Sequence, residues 1–237
     1  AIATLSQLLK DSGHTTSVFD TTFYKFDDEL TPKGLSGEGT DTAMVKSLNY
    51  RPLAEEDDED FFFKKTTRSA VKDFRTIIKK FKPDLIAVST TESTFFRAMT
   101  LINKTRNMGI PNIFGGVFPT FAPELVIENE EIDMLCVGEG ENSLLGLAEC
   151  IANGKNHSDV TNLWIRMRDG SIRRNSVTKP VDINKDTPIK TDVGIFGEKR
   201  FYRPLGGKLR RLLPVETHRG CPYKCIFCEQ GSKAFRP

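Results

Sequence analysis

Three thiols near the end of the chain, Cys221, Cys225 and Cys228, are spaced C-x3-C-x2-C within the run Arg219-Gly220-Cys221-Pro222-Tyr223-Lys224-Cys225-Ile226-Phe227-Cys228. Three thiolates on so short a loop can close around one face of a cubane [4Fe-4S] cluster, whose irons otherwise take four cysteines. The iron left without a protein thiolate is free to bind a small molecule through nitrogen and oxygen. Two other chemistries compete. The two-cluster ferredoxin run opens C-x2-C and needs a fourth cysteine, whereas here the longer gap comes first and no cysteine follows before Pro237. A Cys3His zinc site would recruit His218 just upstream, since zinc accepts thiolates and imidazole together, although zinc knuckles usually pair their ligands across a longer loop.

A second set of residues sits where apolar runs end. Asp84 to Thr91 is a nearly continuous apolar run closing on Ser89, Thr90 and Thr91; Asn112-Ile113-Phe114 closes on Gly115 and Gly116; Asp133 to Val137 closes on Gly138, Glu139 and Gly140. Hydroxyls there can donate to phosphate or ring nitrogens, and glycines let a flat ligand approach the backbone. Either glycine pair alone reads more readily as a tight turn than as a cofactor contact. Neither is a G-x-G-x-x-G, which argues against a nicotinamide or flavin dinucleotide.

The elements that must position these residues follow from periodicity. Ile2, Leu5, Leu8 and Leu9 fall at helical spacing with Ser12-Gly13 as the stop, and Thr16 to Asp20 reads as a short strand. Val71, Phe74, Ile77, Ile78 and Phe81 mark a long amphipathic helix ended by Lys82-Pro83. Its follower, Asp84–Thr91, has the look of a strand buried on both faces. Helices through Phe95, Met99 and Ile102, through Glu124 to Ile127, and through Leu144 to Ile151 alternate with the other two runs. Alternation of this kind predicts a parallel sheet with helices on both faces and a ligand crevice at the carboxyl ends of its strands. His14 then falls at the end opposite that crevice. Leu163 to Asn175 predicts a hairpin turning at Asp169-Gly170, and Leu212 to Thr217 a short strand delivering the cysteine loop, as a barrel of parallel strands does at its carboxyl end.

The cysteine spacing, with an aromatic residue just before the last thiol, resembles the cluster loop of radical S-adenosylmethionine (radical SAM) enzymes. Gly115-Gly116-Val117-Phe118-Pro119-Thr120 after one strand and Val137-Gly138-Glu139-Gly140-Glu141 after the next resemble the cobalamin-binding domain that precedes the radical SAM domain in B12-binding radical SAM proteins. The resemblance implies a flavodoxin-like (Rossmann-like) α/β cobalamin domain over residues 1–154 with its first strand missing. A linker with a β-hairpin over 155–207 and the first strand and cluster loop of a radical SAM partial TIM barrel over 208–237 would follow. The start at Ala1-Ile2-Ala3 and the end at Pro237 read as those of a piece of a longer protein, inactive by itself. The Asp-x-His-x-x-Gly loop that gives many cobalamin proteins their axial histidine does not occur, and would follow the missing strand.

By the same resemblance, Cys221, Cys225 and Cys228 ligate the cluster and Phe227 packs by the adenine of S-adenosylmethionine. Cobalamin is seated by Ser89, Thr90, Thr91, Gly115, Gly116, Gly138, Glu139 and Gly140. The enzyme implied cleaves S-adenosylmethionine reductively for methyl transfer to a small-molecule substrate, or for cyclisation, with flavodoxin or ferredoxin as electron donor. The alternative is a non-catalytic corrinoid- or nucleotide-binding α/β module with a zinc-stabilised tail.

Composition excludes other classes. The net charge of +2 over 237 residues argues against nucleic acid or an anionic membrane as partner. The Glu55–Asp60 acidic run is a solvated segment. No apolar stretch approaches the roughly eighteen residues of a membrane span and no signal peptide opens the chain, which predicts a cytoplasmic protein. Cys136 and Cys150, in apolar surroundings, read as core residues.

Overall fold

The computed structural model of the chain describes residues 1–26, 66–182, 185, 190–205, 208–213, 215 and 219. Its helices are α1 (Ile2–Asp11), α2 (Ala70–Phe81), α3 (Glu92–Thr105), α4 (Val117–Phe121), α5 (Pro123–Ile127) and α6 (Glu141–Ala152). Its strands are β1 (Ile86–Ser89), β2 (Asn112–Gly115), β3 (Met134–Cys136), β4 (Leu163–Arg166), β5 (Ile172–Arg174), β6 (Tyr202–Leu205) and β7 (Lys208–Arg211). They fall into two compact units, one of residues 1–17, 82–193 and 217–237, the other of 18–81 and 194–216.

The first unit is built on a five-stranded sheet in the order β1-β2-β3-β4-β5, with β1, β2 and β3 parallel. The alternation of side chains along a strand divides its core in two. Phe114 and Leu135 face α3 and α5 through Phe95, Met99, Ile102 and Val126. Their chain neighbours Ile113 and Met134 face α1 and α6 through Leu5, Leu9, Leu144 and Leu147. Phe114, Leu135, Leu147 and Val126 are wholly buried, each contributing about 1.5–3 kcal/mol by removal from water. Helices thus cover both faces, as the alternation of runs predicts.

The hairpin forms, and it extends the sheet. β4 pairs antiparallel with β3, Leu135 opposite Trp164, and β5 pairs with β4, so the free edge of β3 is covered. Leu163 and Ile165 enter the α6-side core, while Trp164 packs on the α3 side with the Arg174 guanidinium 4.6 Å from its ring centre. Arg166 donates to the carbonyl oxygens of Ile132 and Asn129, both at 3.1 Å, and of Ile127. These include the carbonyls that the end of α5 leaves without helical partners.

Three expectations are corrected. Thr16 to Asp20 is not a strand: no strand lies beside it among the described residues, and a ladder needs a partner. Its Thr16 hydroxyl bonds Ser6 instead, at 2.6 Å. β1 is not buried on both faces: Ala87 and Ser89 stay exposed, and among the described residues only β2 pairs with it. Nor do Leu212, Leu213 and Val215 continue a strand. The ladder ends at Arg211 opposite Tyr202, where the Leu212 N–H donates to the Phe201 carbonyl at 2.7 Å. Pro214, Glu216 and Thr217 lie outside the described residues, as do most of the Thr21–Asp60 excursion and its acidic run.

Helix α1 is tied to the sheet unit by Asp192. Its carboxylate accepts from Ser6 Oγ at 2.6 Å and Lys10 Nζ at 2.7 Å, and its N–H donates to the Ala3 carbonyl at 3.0 Å. The hydrogen bond from Lys10, then that from Ser6, holds the Asp192 carboxyl below the usual carboxylate range. A depressed folded pKa stabilises above the unfolded value of about 4 and is lost as pH falls through the folded value. Asp192→Asn is therefore expected to cost up to about 1 kcal/mol at neutral pH, with the difference from wild type in urea melts shrinking as pH falls below about 4 and gone only below the lower folded value. An equal deficit at both pH values would assign the loss to geometry rather than charge.

The second unit contains α2 and the β6–β7 hairpin. Phe19 stacks on Phe74 at 5.1 Å, and Tyr24 forms a bridge with Thr66. The Tyr24 hydroxyl and Arg68 both donate to Asp73 at 2.8 Å. Burial, helped by the Asp73 carboxylate, pushes the Tyr24 phenol up to about 12. Arg200 reaches Asp20 at 3.2 Å.

Candidate functional site

The carboxyl ends of β1, β2 and β3 lie side by side because the strands are parallel and adjacent, Ser89 being in register with Gly115. The three residue groups singled out in the sequence are therefore neighbours. Their roles differ. Ser89 and Thr91 are exposed, and Thr91 opens α3, its hydroxyl within 3.1 Å of Ser93 Oγ. Thr90 is buried at 3% exposure; its N–H donates to the Gly115 carbonyl at 3.0 Å and its hydroxyl to the Thr91 carbonyl at 3.1 Å.

Gly116 has φ +105°, a conformation favouring glycine. A Cβ there would stand 2.6 Å from the Thr90 carbonyl oxygen and 3.1 Å from its nitrogen. This glycine lets one strand end cross another. Among the described residues, a Cβ on Gly115 would meet only Cys136 Cβ at 3.8 Å, and one on Gly140 only Leu5 at 3.7 Å.

The loop after β3 is held on several sides. The Gly138 N–H donates to Thr120 Oγ1 at 3.1 Å and the Val137 N–H to the Asn162 carbonyl at 2.9 Å. Asn162, buried and at φ +65°, donates from Nδ2 to the Glu139 carbonyl at 3.1 Å and accepts from the Thr178 N–H at 2.7 Å. The Glu139 carboxylate accepts from the Val181 N–H at 2.5 Å and stands 3.6 Å from Arg219 Nη1. Glu141, 4% exposed in the first turn of α6, pairs with the same Arg219 Nη1 at 2.6 Å.

Two exposed valines border these strand ends. Val117, 59% exposed, follows Gly116 directly, and Val177, 49% exposed, lies 3.6 Å from where a Gly138 Cβ would be. Hydroxyls, bare backbone and apolar side chains thus share one rim. Neither described histidine reaches it. Leu5 of α1 packs by Gly140, at the carboxyl end of β3, so His14, beyond the far end of α1, sits toward the opposite end of the sheet. His157 follows the far end of α6.

Cys136 is buried, and burial first of all, with Glu141 nearby, pushes its thiol up to about 11. With no metal beside it, it is a protonated core thiol at neutral pH. No group of three His, Cys, Asp or Glu side chains able to hold a metal exists among the described residues. Cys221, Cys225, Cys228, Phe227 and His218 lie outside them.

Residues 55–148 match the family model of the B12 binding domain. Over that stretch the chain is similar to B12 binding domains. The resemblance to B12-binding radical SAM proteins read from Gly115–Thr120, Val137–Glu141 and the cysteine run holds. An uncharacterized methyltransferase of Pyrococcus horikoshii is 32% identical over 163 residues, 67% of this chain and 34% of that protein. The anaerobic magnesium-protoporphyrin IX monomethyl ester cyclase of Rubrivivax gelatinosus is 31% identical over 164 residues, 66% of this chain and 28% of the cyclase. The chain thus spans about a third or less of these relatives. Among solved structures, the cobalamin-dependent S-adenosylmethionine radical enzyme OxsB with aqua-cobalamin bound superposes with a TM-score of 0.52 at 23% identity, over 67% of this chain and 22% of that one. That likeness is one of fold. Sequence reasoning passed over Asn162, Val177 and Arg219. An asparagine ahead of a hairpin and an arginine two residues before a cysteine triplet are the signals that pointed to the first and last.

Proposed function

We propose that this chain serves a cobalamin-dependent radical SAM enzyme that performs radical methyl transfer, or a related C–C bond-forming or cyclisation reaction, on a small molecule. The observation that carries the reading is the meeting, in one chain, of a B12 binding domain and a downstream C-x3-C-x2-C triplet. The rim fits an amide-rich, flat ligand. Ser89 and Thr91 offer exposed hydroxyls, Gly115, Gly138 and Gly140 bare backbone, and Val117 and Val177 apolar contact. Thr90, Gly116 and Glu139 shape the wall from within.

Cys221, Cys225 and Cys228 would hold a [4Fe-4S] cluster as thiolates, and Phe227 would pack by the adenine of S-adenosylmethionine. When bound, the cluster supplies the electron that cleaves S-adenosylmethionine and cobalamin supplies the methyl group or its cobalt chemistry. The chain's own contribution is to seat these groups; the Glu139 carboxylate, bonded by the Val181 N–H, helps fix the β3–α6 loop that borders the crevice. A flavodoxin or ferredoxin delivers the electron, in the cytoplasm. No helix among the described residues is long and apolar enough to cross a membrane.

Anaerobic reconstitution with iron and sulfide, followed by optical and EPR spectroscopy and a hydroxocobalamin titration, tests the reading. The expected result is a coloured protein, EPR-active on reduction, that takes up the corrin saturably. A colourless, EPR-silent protein that retains zinc would replace the enzyme by a zinc-stabilised binding module.

A further inference from the structure

We infer that Asn162 is a positioning residue that docks residues 176–181 over the carboxyl end of β3 as a further wall of the crevice, with Val177 as that wall's contact to the corrin; this rests on the B12 reading above and extends it beyond the matched residues 55–148. The topology brings the segment there. β4 runs antiparallel to β3 and β5 antiparallel to β4, so the chain leaves β5 at the end of the sheet where β3 finishes. Asn162, 3% exposed at the start of β4, then binds both sides. Its N–H donates to the Ser176 carbonyl at 3.0 Å, and its Oδ1 accepts from the Thr178 N–H at 2.7 Å and the Thr178 hydroxyl at 3.3 Å. Toward β3, its Nδ2 donates to the Glu139 carbonyl at 3.1 Å and its carbonyl accepts from the Val137 N–H at 2.9 Å. Asparagine is among the few residues that tolerate its φ of +65°.

The segment is fixed at both ends as well. Before it, the Asn175 N–H donates to the Leu163 carbonyl at 3.0 Å and the Asn175 amide to the Ser158 and Val160 carbonyls at 2.8 Å; at its close, the Val181 N–H reaches the Glu139 carboxylate. Between the two residues that bond Asn162, Val177 is 49% exposed, its Cγ1 3.6 Å from where a Gly138 Cβ would stand. A lone exposed valine is ordinary on a protein surface. This one is held beside the glycine end of a parallel strand, where ligands of such sheets bind. Hydrogen bonds already order the wall, so a ligand packing on Val177 loses little in ordering it, whereas a loose segment would have to be fixed at the moment of binding. Asn162 itself need not touch the ligand.

The experiment is equilibrium dialysis of the purified protein against hydroxocobalamin. Val177→Asp is expected to weaken binding about tenfold, by setting a charge against an apolar part of the ligand. Leu125→Asp, at another exposed apolar position on α5, should leave it unchanged. Asn162→Gly keeps the backbone angle but removes the side-chain bonds to Glu139 and Thr178; binding should weaken several-fold, and amide hydrogen exchange across residues 176–181 should speed. With Asn162→Gly in place, Val177→Asp should add little, because the residue it alters is no longer held. Fully additive losses would reduce Asn162 to a structural residue and overturn its positioning role. Val177 lies on the surface, so its variant decides the contact even if Asn162→Gly unfolds early in urea. Saturable uptake by wild type with no change in Val177→Asp refutes the wall and leaves the B12 reading standing; no uptake by wild type refutes both.

Discussion

Replacing any one of Cys221, Cys225 and Cys228 by alanine is expected to reduce iron from about four per chain toward zero, because two thiolates cannot hold a cubane whose open iron already lacks one. The described residues offer no substitute. Cys136 is a buried thiol pushed up to about 11, Cys150 sits partly buried on α6, and no alternative ligand group exists among the described residues. His218→Ala should leave the iron content unchanged. Iron and sulfide analysis after anaerobic reconstitution checks both, and full iron in any cysteine variant would remove that cysteine from the cluster. Loss of metal in His218→Ala would favour zinc.

Gly116→Val is expected to destabilise the sheet unit by at least about 3 kcal/mol, a size reserved for backbone conflict or core damage. The new Cβ would lie 2.6 Å from the Thr90 carbonyl at a φ of +105°, which a β-branched residue does not adopt without strain. Neither neighbour can yield easily, since Thr90 is buried and bonded to Gly115. Cobalamin binding should fall with it, as a consequence of lost fold. Gly115→Ala separates the two effects. Its Cβ meets only Cys136 at 3.8 Å, so stability should change by less than about 1 kcal/mol and any loss of hydroxocobalamin affinity reports on the crevice. Urea melts of both variants settle the matter: a Gly116→Val protein as stable as wild type would mean that the two strand ends do not cross as described.

The glycines thus differ in a way their spelling conceals. Gly115 and Gly116 are adjacent and chemically identical in the sequence, yet one leaves space and the other permits a backbone crossing. The same holds for hydroxyls: Ser89 and Thr91 are exposed, whereas Thr90 between them turns inward to bond its own chain. Alternation along the strand end decides which is which, and only the register of β1 on β2 makes the choice visible.

Much was nonetheless legible in the residues alone. The apolar runs ending at Ser89, Gly115 and Val137 are short, bounded by turn residues and separated by helical periods, so a parallel sheet with its crevice at those ends follows from local rules. The cysteine spacing points to a cluster chemistry, because ligand geometry is set by a few consecutive residues, but those residues lie outside the described ones. What local rules could not supply was partnership. Thr16 to Asp20 has strand composition but no neighbour to pair with; Leu163 to Arg174 has hairpin composition but gives no sign that its first strand will cover β3. Arg166, Asn162, Asp192 and Arg219 do their work on groups far away in the chain. Such contacts depend on which surfaces the packed core brings together, and a long-range pair leaves no periodic trace in the sequence. The type and order of elements were decided by sequence; the edge pairings, the crossing at Gly116 and the ion pair that ties Arg219 to α6 were decided only by the tertiary structure.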